Sequence, residues 1–214
     1  MYEYLGIKTW FRNRGSVVFS QYDAIKKIWN ILPDYLLGEC RKTPAPENAF
    51  KVYVESTRLD KEKQVQYHSV TAKRLCFSQR SRTDLQLDTC FHCTRTKEPT
   101  DQDCRKFRHS SGHLWLTRHA PLTVSIDDNG EECICIDGAH AAHIHGKGCS
   151  KMCLKMGRGA MIIVPNKLGL VTTSSTKTEV VADGECFPKC SWFRYFRLAQ
   201  GDEAKGDMLM QDNE

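Results

Sequence analysis

The 214-residue chain lacks an apolar run long enough to span a membrane, which takes about 18 consecutive apolar residues. Its first residues, MYEYLGIKTWFRNR, are polar and aromatic and do not resemble a secretory signal peptide. The sequence also lacks the glycine-rich loop that binds nucleotide phosphates and the G-x-S-x-G motif of serine hydrolases. These absences argue against a membrane protein and against the commonest enzyme classes, so we expect a protein that is not an enzyme.

Cysteine, in contrast, is abundant, with 11 cysteines and 8 histidines in the chain. An odd number of cysteines without an export signal favours reduced thiols that bind metal. A secreted protein held by disulfides is the alternative, and it predicts few free thiols and no metal.

Charge is distributed unevenly along the chain, which has 31 Lys and Arg against 26 Asp and Glu, net +5. The segment Gly201–Glu214 contains five acidic residues and one lysine, so residues 1–200 carry +9. A basic body favours an anionic partner, and the acidic segment is expected to be disordered.

Periodicity predicts an α+β fold. Apolar residues recur at helical spacing over Tyr22–Leu37, where Pro33 should start a new turn, and residues 57–75 are either helix or exposed loop. Short strands are expected at 50–55, 114–116, 122–126, 133–136, 160–165 and 170–173, with a hairpin over 121–136 that turns at Asp127–Gly130. The sequence therefore predicts three regions. Residues 1–57 form a helical start and the first strand, and residues 201–214 form a disordered acidic tail. Between them, residues 58–200 form an irregular, zinc-stabilised domain that has short strands and long loops and binds nucleic acid.

Two pairs of metal-type ligands have unusual spacing. Cys90 and His92 form a C-x-H pair, and Cys133 and Cys149 form a C-x15-C pair. Together they would supply the four N and S donors of a closed, structural Zn²⁺ site. Alternative ligands lie near both pairs: Cys93, Cys104, Cys135 and Cys153.

Two weaker metal candidates remain. Cys186 and Cys190 are a half-site that Cys76, Cys104 or Cys153 would have to complete, or they are two ordinary thiols. Three imidazoles, His140, His143 and His145, could hold a catalytic metal in a nuclease, but no carboxylate accompanies them as in H-E-x-x-H. A surface or supporting role for these histidines is favoured.

Basic and aromatic residues alternate in several segments, a pattern typical of proteins that bind single-stranded nucleic acid. Cations would contact phosphates while aromatic rings stack on bases. The candidate cations are Arg105, Arg108, Lys147, Lys151, Lys155 and Arg158, and the candidate stacking residues are Phe107, Trp115 and Trp192. The alternative is that the aromatic residues are core and the cations are solvated.

Several of these motifs, in this order, resemble the C-terminal domain of the adenovirus single-stranded DNA-binding protein family. The C-x-H pair and C-x15-C pair match that family, as do Gly146–Cys149 and the strand Leu122–Asp128. Leu32–Asp34, Cys40–Thr43 and the following strand look like the family's passage from helix to sheet, so the match spans residues 25–165. Members of that family also have a complete second zinc site and a C-terminal arm that binds the neighbouring molecule. This sequence lacks a counterpart of the second site, and assembly along DNA through such an arm is not predicted.

The resemblance implies a zinc-containing viral protein that binds single-stranded DNA without sequence preference. It would act in viral DNA replication in the host nucleus, with viral replication proteins as further partners and without membrane association. The alternative is a zinc-binding viral accessory protein that binds host proteins and uses its Cys and His residues only as a scaffold.

Overall fold

The computed structural model describes residues 1–12, 15–127, 130–143, 145–202 and 206–211. The five helices in these ranges are α1 Tyr22–Trp29, α2 Lys61–Ser78, α3 Gln86–Arg95, α4 Asp101–Leu116 and α5 Ser175–Ala199. The strands are β1 Tyr2–Tyr4, β2 Ile7–Arg12, β3 Ser16–Ser20, β4 Leu122–Val124, β5 Glu132–Ala139, β6 Lys147–Lys155, β7 Ile162–Val171 and β8 Asp207–Gln211. The fold is therefore α+β, as the sequence predicts.

The chain divides into two compact units. The first contains Met1–Phe11 and Val18–Leu122, and the second contains Arg12–Val17 and Thr123–Glu214. The division thus falls near residue 122 and not at the predicted boundary between 57 and 58. Residues 1–57 supply part of the core of the first unit, including Ile25 and Leu36, and this explains why they do not form a separate domain.

Helices α2, α3 and α4 build the core of the first unit around Tyr67, Phe91 and Phe107, which are all fully buried. Helix α2 begins where the Asp60 side chain accepts a hydrogen bond from the Lys63 amide at 2.8 Å. Helix α4 begins with a capping box formed by Thr100 and Asp103. These caps satisfy amides that the helices themselves leave unpaired.

The second unit is built on a mixed sheet with the strand order β7-β6-β5-β8. Strands β5, β6 and β7 are successively antiparallel, and β8 is parallel to β5. Apolar side chains on one face of the sheet pack against α5. Because side chains alternate along a strand, the intervening residues Cys133, Cys135, Lys151, Cys153 and Lys155 lie on the opposite face. A separate four-stranded sheet has the order β1-β2-β3-β4.

Some predicted elements are confirmed. Helix α1 lies within the predicted helix, and a 3₁₀ turn at Asp34–Leu36 follows Pro33. Residues 57–75 fall mostly within α2. The strands predicted at 160–165 and 170–173 belong to one continuous strand, β7.

Other predicted elements are wrong. Residues 50–55 are turn and irregular structure and not a strand, and the Lys106 ammonium binds the carbonyls of Ala49 and Lys51 in this region. Residues 114–116 are the last turn of α4. The 121–136 hairpin does not form: the chain after β4 is held by the end of β6, with Asp127 N 2.8 Å from Met156 O. Asp128 and Asn129 of the predicted turn lie outside the described residues.

The acidic segment is not disordered throughout, since β8 forms within it. The apolar sequence Met208–Met210 lies in β8, which pairs with β5. The pairing begins with Glu132 opposite Asp207 and ends with Ile136 opposite Gln211. Without β8, β5 would be an edge strand with unpaired backbone groups. The local apolar run therefore outweighs the acidic composition of the segment.

Candidate metal centre and nucleic-acid interface

The four predicted zinc ligands fall on two different units. Cys90 and His92 lie on α3 of the first unit, and Cys133 and Cys149 lie on β5 and β6 of the second. On a helix, residues two apart point in directions about 200° apart. A C-x-H pair can present both ligands to one ion from a short strand or turn, but on α3 the two side chains diverge.

His92 is instead part of a buried polar network in the first unit. The ring is fully buried, with its Nδ1 2.6 Å from the Tyr67 hydroxyl and its Nε2 3.5 Å from Asp88 Oδ1. Asp88 in turn forms a buried ion pair with Arg74. Both ring nitrogens therefore face groups of the helical core, which is the common role of a buried histidine.

Electrostatics in this network keep Asp88 ionised. Burial raises the pKa of the Asp88 carboxyl, but Arg74 and His92 outweigh that effect and lower the pKa to about 2. The Arg74 guanidinium also lies over the Phe107 ring, 4.6 Å from its centroid. The network thus holds α2, α3 and α4 together through charged groups in a low-dielectric core.

The second zinc pair is separated along the sheet. Cys133 lies opposite Lys155, whereas Cys149 lies opposite Ala139. Cys133 and Ala139, the partner of Cys149, are six residues apart along β5. The two cysteines are therefore separated by about 20 Å at the usual rise of a strand. That distance is too long for a shared ion with bonds of about 2.3 Å. In the part of the chain that the structure describes, no three His, Cys, Asp or Glu side chains are placed to hold a metal ion.

The second predicted half-site lies on α5, where Cys186 and Cys190 share one face. Cys186 is buried in the core between α5 and the sheet, and Cys190 Sγ lies 3.5 Å from Met152 Sδ. Burial raises the pKa of the Cys186 thiol, as expected for a neutral, apolar side chain. Cys153 cannot complete this half-site, because it lies on the opposite face of the sheet.

A sulfur cluster that the sequence analysis did not identify lies on that opposite face. Cys133 Sγ is 4.0 Å from Cys135 Sγ and 3.6 Å from Met210 Sδ. Cys153 lies directly opposite Cys135 on the neighbouring strand. Residues two apart on a strand share a face, so the C-x-C sequence within an alternating segment was the signal for this cluster.

The three histidines of the 140–145 loop do not form a metal site. His140 Nδ1 lies 3.2 Å from Thr172 Oγ1 and 3.1 Å from Thr178 Oγ1, which anchors the ring to the start of α5. Burial and the nearby Lys167 lower the pKa of His143. His145 is exposed to solvent. This geometry gives no support to the nuclease alternative.

Of the three predicted stacking residues, Phe107 is buried and Trp115 is partly buried. Phe107 is only 1% exposed and packs against Tyr67 and Arg74. Trp115 stacks on Trp29 with ring centroids 4.5 Å apart, and the Arg118 guanidinium lies 4.3 Å from its ring centroid. Phe107 therefore has no ring face open to a base, and the Trp115 ring is already stacked on Trp29, which leaves its assignment as a stacking residue without support from the structure.

Trp192, in contrast, is 60% exposed on α5. Its ring lies nearly parallel to that of Phe196, with an interplanar angle of 17° and centroids 5.6 Å apart. Phe196 is 47% exposed, and Tyr195 beside it is more exposed still. Sequence analysis identified Trp192 but missed Phe196, although their spacing of four residues places both on one helix face.

The predicted cations form two groups. Arg105 and Arg108 of α4 line a cavity of about 290 Å³ in the first unit, together with Arg41 and His109. Arg108 Nε donates to Leu37 O at 2.8 Å, and Arg41 is paired with Glu39 at 3.1 Å. Despite Glu39, three guanidinium groups around one concavity suit a phosphate.

The second group of cations lies on and after β6. Lys151 and Lys155 are half-buried on the sheet face that bears the sulfur cluster, and Arg158 is exposed just beyond the strand. Lys147 Nζ donates to Gly169 O at 2.7 Å, so this lysine is partly committed to the sheet. Lys151 and Lys155 thus lie on the side of the sheet opposite to Trp192.

Comparisons with known proteins do not place the chain in a family. No protein-family model matches it, and neither a curated protein nor a solved structure shows significant similarity to it. Among the described residues, no helix is both long enough and apolar enough to cross a membrane. The functional assignment therefore depends on the residues themselves.

Proposed function

We propose that this protein binds single-stranded DNA without sequence preference and that α5 supplies the stacking surface. The observation that carries the proposal is the exposed, nearly parallel pair of Trp192 and Phe196. Exposed rings can stack on any base, because every base has a π-face, and each stacked base contributes about 1–3 kcal/mol. Stacking of this kind requires unpaired bases, so it favours single strands over duplex.

Cations close to the aromatic pair support contacts with the phosphate backbone. Lys189 lies one helical turn before Trp192, and Arg194 lies between Trp192 and Phe196 in sequence. Helical geometry places Lys189 on the side of α5 nearest Phe196. A strand whose bases stack on the two rings would therefore have an ammonium group within reach of its phosphates.

The two larger cationic groups add attraction that does not depend on sequence. Lys151, Lys155 and Arg158 raise the potential of the second unit, and Arg41, Arg105 and Arg108 do so in the first. Such groups increase the rate of association and make the affinity strongly dependent on salt, since each neutralised phosphate releases counterions.

The biological role in this proposal comes from the resemblance to the adenovirus DNA-binding protein family. In that role the protein coats displaced strands during viral DNA replication in the host nucleus, alongside viral replication proteins. Zinc remains a prediction from the sequence, because His92 faces Tyr67 and Asp88 in the first unit and Cys133 and Cys149 lie far apart along the sheet of the second. The zinc content should therefore be measured on the same preparation as DNA binding.

The test is fluorescence anisotropy of a labelled oligonucleotide of about thirty bases, titrated with the full chain at two salt concentrations. We expect Trp192→Ala to weaken binding about 5–150-fold, the loss of one stacked base. Phe187→Ala is the matched control, since Phe187 is an equally exposed aromatic residue on α5 outside the Trp192–Phe196 pair. Lys151→Ala with Lys155→Ala should mainly reduce the salt dependence.

Two results would overturn the proposal. One is equal affinity of the Trp192→Ala variant, the Phe187→Ala variant and the unsubstituted chain for the single strand. The other is tighter binding of a duplex of the same length than of the single strand, because stacked base pairs leave no free π-face for the rings.

A second candidate function is binding of a host protein by an accessory protein. The observation that favours it is that Phe187, Tyr195 and Leu198 are also exposed on α5, in addition to the aromatic pair. Large exposed apolar surfaces commonly mark protein interfaces. This alternative predicts no DNA affinity in the anisotropy titration.

A further inference from the structure

The sulfur cluster of the second unit contains two thiols and one thioether: Cys133 and Cys135 on β5, and Met210 on β8. All three lie on the face of the sheet away from α5, so they are not part of the apolar core that Ile134 and Ile136 form on the other face. Their convergence follows from the parallel pairing of the strands, which sets Met210 opposite Cys135.

The spacing of the sulfur atoms fits a common metal ion. Ligands bonded at about 2.3 Å in a trigonal or tetrahedral arrangement are separated from each other by about 3.8–4.0 Å. The observed separations are 4.0 Å between the two thiols and 3.6 Å between the Cys133 thiol and the Met210 thioether. Both separations are close to those of sulfur ligands that share one ion, and Cys133 is common to the two.

We propose that Cys133, Cys135 and Met210 bind one cuprous ion, Cu(I), on the open face of the sheet. A thioether is a soft ligand that favours copper in its lower oxidation state, whereas structural zinc takes four thiolate or imidazole donors in a tetrahedron. The proposal goes beyond nucleic-acid binding, and neither depends on the other.

The surroundings of the cluster support binding of an ion. A cavity of about 170 Å³ opens beside Cys133, which gives the ion a route from solvent, and it is lined by Lys155 and Met208 and by the acidic residues Asp127, Glu131 and Glu132. Binding releases the two thiol protons, forms two copper–thiolate bonds and one copper–thioether bond, and leaves a net charge of −1. Lys155, directly opposite Cys133, compensates that charge.

Copper would also link the C-terminal strand to the centre of the sheet. Strand β8 pairs only with β5 among the described strands, and its side chains Met208, Leu209 and Met210 are about half exposed. A bond from Met210 to an ion on β5 would add a fixed contact to this edge strand. Protection of the β8 amides from hydrogen exchange should therefore increase when copper binds.

The test is an anaerobic titration of the reduced full chain with Cu(I) in the presence of the chromogenic chelator bicinchoninate. We expect one copper per chain to be withheld from the chelator. Cys135→Ser and Met210→Leu should each weaken this binding by more than the 10–100-fold that loss of an outer-shell partner costs. Cys40→Ser is the control, since Cys40 is an exposed thiol in the first unit, and it should bind copper as the unsubstituted chain does.

Met210→Leu is the decisive variant, because leucine conserves the volume of methionine and leaves both thiols in place. X-ray absorption of the copper complex should show three sulfur neighbours at about 2.3 Å, and two in the Met210→Leu variant. Unchanged copper affinity in Met210→Leu and Cys135→Ser would overturn the proposal. Failure of the unsubstituted chain to compete with the chelator would do so as well.

Discussion

Replacement of Asp88 by Asn should destabilise the first unit strongly. Asp88 and Arg74 are both nearly inaccessible to solvent and form an ion pair between α3 and α2. The amide of asparagine cannot neutralise the guanidinium, so Arg74 would remain charged and unpaired in the core. Removal of one partner from a buried pair of this kind costs about 3–5 kcal/mol in the free energy of unfolding.

The same ion pair makes the stability of the unit depend on acid. The pKa of Asp88 is lowered in the folded state from 3.8 to about 2. Its contribution is therefore complete above pH 4 and is lost as the pH falls from about 4 to about 2. The shift in pKa corresponds to about 2 kcal/mol in the free energy of unfolding. This pH-dependent loss of stability between about pH 4 and about pH 2 should be absent in the Asp88→Asn variant.

The assay is hydrogen exchange resolved by segment, read on the amides of α2, α3 and α4, with urea unfolding at several pH values. A segment-resolved method is needed because two compact units can unfold separately. Glu98→Gln is the matched control: Glu98 pairs with Arg58 at 3.1 Å, but both side chains are mostly exposed, so the loss should stay below about 1 kcal/mol. Similar losses in the two variants would refute the assignment of Asp88 to a buried structural network.

Three further substitutions test other contacts. Glu132→Gln should cost about 3 kcal/mol in the second unit, because it leaves the buried Arg197 guanidinium without its closest carboxylate, and thermal unfolding would measure this. Gly112→Ala should cost about 1–3 kcal/mol or more, since a Cβ at this position would lie 1.7 Å from the Glu39 carbonyl oxygen; urea unfolding is the readout. Trp115→Ala should cost about 3 kcal/mol in stability and leave the affinity for single-stranded DNA unchanged, and anisotropy on the folded variant checks the second part.

The sequence predicted structure best where local signals were strong. The spacing of apolar residues located α1, and Pro33 located the 3₁₀ turn that follows it. Helix α5 was missed because Gly184 and Pro188 interrupt a segment that begins with Ser and Thr. Both residues disfavour a helix interior, but packing of Ala182, Cys186 and Phe193 against the sheet outweighs their intrinsic preference.

Contacts between distant segments explain the errors in the candidate sites. Phe107 and Trp192 have similar basic neighbours in the sequence, yet one is buried and the other is mostly exposed. Composition cannot separate them, because burial depends on which helix face meets the core. The zinc prediction relied in the same way on the assumption that His92 faces a metal, whereas the fold turns it toward Tyr67 and Asp88.

The pairing of β8 with β5 was beyond sequence reasoning for a similar reason. More than seventy residues separate Cys133 from Met210, and the acidic residues around Met208–Met210 favour disorder by composition. Only the register of the sheet brings their sulfur atoms together. The C-x-C pair could be seen in the sequence, but its thioether partner could not.

The central claim, that α5 binds single-stranded DNA by stacking, is tested most directly by photocrosslinking. A single strand that carries 4-thiothymidine is irradiated with the full chain, and the attached peptides are identified by mass spectrometry. The account predicts that the main crosslinks fall on the α5 peptide that contains Trp192 and Phe196 and disappear in the presence of excess unlabelled single strand. Crosslinks confined to the first unit, or crosslinks on α5 that duplex removes as effectively as single strand, would contradict it.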